Sequence, residues 1–188
     1  VPGTGRKNGR KMRKKWIIFT VFFPLVIVID QLSKYLVSVN MYQGQHIRII
    51  GPYLRIVYIR NPHAAFGIPL GSPLLMLILT SIASVLLVIY FTLVSNKTAF
   101  FYFAITLIIG GAIGNLIDRL RIKEVIDFIE VGVEKFKWPV FNVADSCVTV
   151  GIILLLWIWF FRTKKEGEEN STRKTKTLDK SIKIVNNS

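Results

Sequence analysis

Cysteine, histidine and acidic residues are all scarce in this chain. Its 188 residues include one cysteine, Cys147, and two histidines, His46 and His63. A single cysteine excludes an intrachain disulfide framework. One thiol and two imidazoles are also a poor ligand set for zinc. Acids number 11 against 25 Lys and Arg, a formal net charge of +14. Such an excess raises the question of nucleic acid, but its placement argues otherwise. Seven basic residues precede Trp16 and eight follow Phe161. Both clusters flank apolar stretches, the pattern that the positive-inside rule produces.

Charge is missing altogether from residues 71–96 and again from residues 98–117. A bilayer core takes about 20 apolar residues per helix, and two such runs back to back do not suit a water-soluble core. The chain is 52% hydrophobic with a mean hydropathy of +0.47, well above ordinary soluble domains. Four spans are expected. The first covers about residues 16–37, with Pro24 a candidate kink. The second covers about 72–94, with Ser72 suited to the N-cap and Pro73 to the first helical position. The third covers about 98–120, and the fourth about 139–161, with Pro139 at its start. The basic beginning followed by an apolar run has the look of a signal peptide. No small-residue cleavage site precedes Asp30, however, so an uncleaved first span is expected.

Four spans place both termini on one side, together with the short link 95–97. Sixteen of the 25 basic residues then lie on that side, which makes it the cytoplasmic one. Two larger loops face outward, about 41–71 and 121–138. In the first, His46 to Ile50 and Leu54 to Arg60 alternate polar and apolar side chains around Gly51-Pro52. The expected fold is therefore an α-helical integral membrane protein: four transmembrane helices with a small extracytoplasmic β-hairpin or sheet in the first outer loop. The domain reading is a basic cytoplasmic N-terminus (1–15), a four-helix domain (16–161) and a basic cytoplasmic tail (162–188) too polar to form a core. Residues 1–11, ahead of Met12, are read as a candidate expression-derived leader.

Ionisable residues in membrane spans are costly and usually mark function. Here they gather at one depth. Asp30 and Lys34, four apart and so on one helix face, lie at the outer end of the first span. Asn115, Asp118 and Arg119 lie at the outer end of the third. Asn142 and Asp145 lie at the outer start of the fourth, with Asp127 in the loop before it. Two carboxyls brought close share a proton, so that one can activate water while the other protonates a leaving group. Asp30 has Lys34 on its face, and Asp118 has Arg119 beside it, which suits both to structural ion pairs. Asp127 and Asp145 lack a local cation and have apolar neighbours in Ile126, Phe128 and Ala144. They are the better acid–base pair, with helix capping the competing role for each. Gly110 and Gly114 form a G-x-x-x-G pattern that lets another helix approach the third span closely.

Other nucleophiles are weaker candidates. Ser33 and Lys34 are adjacent on a helix and point apart. Cys147 falls inside the fourth span, where a small buried thiol is the ordinary reading. His63 follows Asn61-Pro62 and suits a turn as well as a catalytic role.

Five blocks in order resemble the signature segments of the bacterial lipoprotein signal peptidase (signal peptidase II) family: Asp30-Gln31-Leu32-Ser33-Lys34, Arg60 to Gly67, Gly110 to Arg119, Val125-Ile126-Asp127-Phe128, and Phe141-Asn142-Val143-Ala144-Asp145-Ser146. The resemblance spans about residues 12–161. It departs at His63, where the family usually has glycine. It implies an aspartic peptidase whose catalytic dyad is Asp127 and Asp145. Asp30, Lys34, Asn61, Gly114, Asn115, Asp118, Arg119 and Asn142 are the implied binding and supporting residues. The implied substrate is a prolipoprotein whose lipobox cysteine already carries diacylglycerol, cut just before that cysteine in the inner membrane. Membrane lipid and globomycin-type cyclic peptide inhibitors are the implied partners, with no metal or cofactor. A transporter or proton conductor is the rival class. It predicts polar groups spread through the bilayer depth, whereas the second span has nothing stronger than Ser, Thr and Tyr. A membrane scaffold leaves the acidic cluster unexplained.

Overall fold

The computed structural model describes residues 4–62, 72–95, 97–133 and 136–161. Four of its helices are long and apolar enough to cross a membrane. Helix α1 (Thr4–Asn40) runs without a break through Pro24. Its apolar part is Met12–Asn40, so the helix begins well before the expected Trp16. Helix α2 (Pro73–Leu93) starts at the expected cap: the Ser72 hydroxyl accepts a hydrogen bond from the Leu75 N–H at 3.3 Å. Helix α3 (Ala99–Ile122) is capped by Thr98 and ends at Lys123 in the left-handed region, at φ 65°. Helix α4 (Val143–Phe161) begins four residues after Pro139. The cap there is Asn142, not a proline turn, because Asn142 Oδ1 accepts from the Asp145 N–H at 2.9 Å.

Helix α3 is the middle of the bundle. Of its most apolar window 61% is buried, against 11–17% in the other three helices. Small residues allow this. A Cβ on Gly110 would lie 2.8 Å from Val26 of α1, and one on Gly114 would lie 2.6 Å from Asp30. Gly111 meets the Ala144 carbonyl and Val148 of α4. The expected G-x-x-x-G approach is therefore made by α1, and the glycine between serves α4. Towards the other end, Phe91, Tyr102, Ile105, Ile108 and Ile109 form a buried cluster between α2 and α3. Lys15 closes it. Its ammonium donates to the Thr92 and Val94 carbonyls at 3.0 and 2.9 Å, satisfying the C-terminus of α2, and lies 4.7 Å from the centre of the Phe91 ring. Helix-terminal carbonyls attract a cation in this way. Large side chains such as Leu79, Leu86, Val28 and Trp157 remain exposed on the outside, as they must where the solvent is hydrocarbon.

The sheet is larger than the first outer loop alone could supply. Strands β1 (His46–Ile50) and β2 (Leu54–Asn61) form the expected hairpin. The second outer loop adds β3 (Val125–Val133) and β4 (Phe136–Lys137), giving the antiparallel order β1-β2-β3-β4. Asp127 accordingly sits within strand β3 and not in a loop. Residues 63–67 of the second sequence block, His63 among them, and the tail 162–188 lie outside the described residues.

Candidate active site

The polar residues of α1, α3, β3 and α4 meet in one hydrogen-bonded network at one end of the bundle. Lys34 is its buried cation. Its ammonium reaches Asp30 Oδ2 at 2.9 Å, Asp118 Oδ2 at 2.8 Å and Asn115 Oδ1 at 3.0 Å. An ammonium has three protons, so these partners use them all. The close cation for Asp118 is Lys34, from another helix, and its neighbour Arg119 lies within electrostatic reach of Asp118 as well as Asp145 and Asp127.

Asp30 does more than pair. Its Oδ1 accepts the Ala144 N–H at 2.9 Å. The first N–H groups of a helix have no partner within it, so Asp30 caps α4 from a different helix. Gln31, quoted above only as part of a motif, donates to Asp30, to the Gly114 carbonyl and to Asp118 at 3.0, 3.2 and 3.1 Å. Nothing in its local pattern marks it, since its partners come mainly from α3. Asp118 also accepts the Ile126 N–H at 3.3 Å, which ties the start of β3 to α3.

Asp127 and Asp145 are each held by side-chain amides. Asn142 Nδ2 donates to Asp127 Oδ1 at 2.7 Å, and Asn61 Nδ2 donates to Asp127 Oδ2 at 2.8 Å. Asn115 Nδ2 donates to Asp145 Oδ1 at 2.8 Å. The Asn142 N–H approaches Asp145 Oδ2 at 3.3 Å, while Asn142 Oδ1 accepts the Asp145 N–H. This is a reciprocal capping box. Capping and site membership are thus the same geometry for Asp145, not competing roles. Asn142 touches both carboxyl groups and bridges them.

A bulge brings Asn61 to this site. Ile56 pairs with Ile129 and Ile59 with Asp127, so β2 carries one extra residue there. Ile56 and Asn61 are five apart and would face opposite sides of a regular strand. The extra residue returns Asn61 to the face of Asp127.

Asp127 is 3% exposed. Burial, chiefly, and the nearby Asp145 charge push its pKa up to about 7, against the lowering effect of the two amides and Lys34. Asp145 is only half-buried. It lines an open groove of about 300 Å³ with Trp138, Phe141, Ser146, Thr149 and Val150. A mostly apolar groove with a carboxyl at its edge can take a substrate from the hydrocarbon side. Every site residue expected from the sequence is present in this one region: Asp30, Lys34, Asn61, Gly114, Asn115, Asp118, Arg119, Asp127, Asn142 and Asp145.

The family model described as signal peptidase (SPase) II matches residues 22–161. A lipoprotein signal peptidase of Syntrophus aciditrophicus is 37% identical over 77% of this chain and 93% of its own length. That of Moorella thermoacetica is 32% identical over 80% of this chain and 98% of its own, and that of Staphylococcus aureus 37% identical over 77% and 90%. A bacterial membrane enzyme solved by the in meso method at 2.3 Å resolution superposes with a TM-score of 0.70 at 34% identity, covering 79% of this chain and 88% of that one. The chain belongs to the bacterial signal peptidase II family, the lipoprotein signal peptidases.

Proposed function

We propose that Asp127 and Asp145 are the catalytic dyad of this peptidase, acting on a prolipoprotein whose lipobox cysteine carries diacylglycerol. The observation that carries the reading is the Asn142 bridge: its side-chain amide donates to the Asp127 carboxyl and its backbone N–H approaches the Asp145 carboxyl, beside an apolar groove. Two such acids hold one proton between them. The ionised acid takes a proton from water, and the resulting hydroxide adds to the scissile carbonyl. The other acid gives its proton to the leaving nitrogen as the C–N bond breaks. The products are a signal peptide with a new carboxylate and a lipoprotein with a free amino group on its cysteine. A lipidated cysteine leaves the bilayer only at about 0.8 kcal/mol per CH₂, so the chemistry has to sit at the membrane face.

The charge distribution supports an orientation with both termini in the cytoplasm and the dyad at the extracytoplasmic face. Globomycin-type cyclic peptides are the expected inhibitors. The test uses purified full-length protein with a diacylated precursor and its unlipidated counterpart, read by mass spectrometry. Loss of a mass equal to the signal peptide from the lipidated precursor alone is the expected result. Equal cleavage of both precursors, or of neither, would contradict it.

A further inference from the structure

We propose that Lys34 is a positioning residue for the carboxyl pair, acting by fixing the rotation of the Asn115 amide. The inference rests on the reading of Asp127 and Asp145 as the reacting pair. Asn115 Oδ1 receives two donors, Lys34 Nζ at 3.0 Å and Asn142 Nδ2 at 3.1 Å. Its NH₂ is thereby turned to Asp145 Oδ1 at 2.8 Å. A flipped amide would set its NH₂ against an ammonium and a second NH₂, and its carbonyl oxygen against a carboxyl oxygen. An amide has an acceptor end and a donor end, so both ends would then be mismatched in a buried place.

The same logic passes along the network. Asn142 Nδ2 reaches Asn115 Oδ1 and Asp127 Oδ1, while its own oxygen is held by the Asp145 N–H. A cation on α1 therefore decides, through one amide, how the acid on α4 is held, and shares that amide with the residue that holds the acid on β3. Lys34 touches neither Asp127 nor Asp145 in this chain of contacts. The charged groups around it are Asp30 on α1 and Asp118 on α3, with Asp127 on β3 and Asp145 on α4 within electrostatic reach. Arg119 of α3 is the other cation near the dyad.

The test is single-turnover cleavage of a diacylated precursor across pH, with helix content and thermal midpoint measured in detergent. Lys34→Met alone would make the buried Asp30–Lys34–Asp118 cluster more negative, so it is combined with Asp118→Asn, which leaves the cluster's net charge unchanged. The double variant should fold and cleave about tenfold slower or worse, as misplaced catalytic groups do. Both limbs of its pH profile should move to higher pH, because an Asn115 amide no longer fixed by Lys34 stops donating to Asp145, and that donor favours the ionised pair. A folded double variant with the wild-type limbs would overturn the proposal, whatever its rate, since a purely structural role lowers the active fraction without moving them. Asn115→Asp provides a second reading if the double variant does not fold. It keeps the oxygen that Lys34 and Asn142 hold but presents a carboxyl oxygen to Asp145. Its limbs should also move to higher pH, and an unchanged profile would contradict the proposal. Asp127→Asn is run alongside: cleavage by that variant would fault the dyad itself, whereas a dead Asp127→Asn with unmoved limbs in the other variants faults only the role of Lys34.

Discussion

At the scale of single residues the site turns on a carboxyl group that is buried and within electrostatic reach of a second one. Asp127 has its pKa raised to about 7, mainly by burial, from an unfolded value of about 3.9. Between those values the folded chain binds more protons than the unfolded chain. Stability therefore falls as pH rises from about 4 to about 7, and the full penalty stays in place above that. Asp127→Asn removes the penalty. Its thermal midpoint should exceed that of the native chain at pH 8 and depend less on pH across this window, as measured by thermal unfolding in detergent. A native-like decline in the variant would show that another group titrates there. For the proposed chemistry the same raised value means a half-protonated acid at neutral pH, where proton transfer in either direction is effective. The apolar neighbours Ile126 and Phe128 made this acid legible in the sequence. Its partners Asn61 and Asn142 were less so, because they reach it only through contacts between elements. The family resemblance marked the two asparagines, whereas Gln31 takes its role from contacts with Asp30, Gly114 and Asp118.

At the scale of elements the site depends on how closely α1, α3 and α4 approach. Gly114→Ala should lower both stability and cleavage, since its Cβ would fall 2.6 Å from Asp30 Oδ2 and 3.4 Å from the Ala144 side chain. Overpacking of this kind costs about 1–3 kcal/mol, and Asp30 is the group that accepts the Ala144 N–H at the start of α4. The check is a lower thermal midpoint together with slower single-turnover cleavage; a native rate would show that α1 can give way without disturbing α4. The helices were legible because long uncharged runs have few other solutions. The start of α4 was misplaced at Pro139 because proline commonly opens a helix, whereas Asn142 and Asp145 make the capping box that sets the boundary. Strand β3 was read as loop because Val125 to Ile129 is short. Its pairing with β2 joins segments more than 60 residues apart, which local alternation cannot reveal. The β2 bulge that turns Asn61 to Asp127 is likewise a property of the pairing.

At the scale of the whole molecule the protein is a central α3 packed by α1, α2 and α4, with one polar network at one end and a sheet over it. Four spans and one acidic cluster were legible because burying charge in hydrocarbon is expensive, so its clustering carries information. The family match ends at residue 161, so removing residues 164–188 should leave cleavage of a lipidated precursor near the native rate. A large loss in correctly inserted protein would assign the tail a role. The central claim is that two carboxyl groups, one on a strand and one at a helix start, do the chemistry together. Its most direct test is single-turnover cleavage of a diacylated prolipoprotein by Asp127→Asn and Asp145→Asn, each first shown to be folded and inserted. Asparagine keeps the size of the side chain but cannot exchange the proton. Both variants should show no cleavage above background at any pH, and near-native turnover by either one would contradict the dyad.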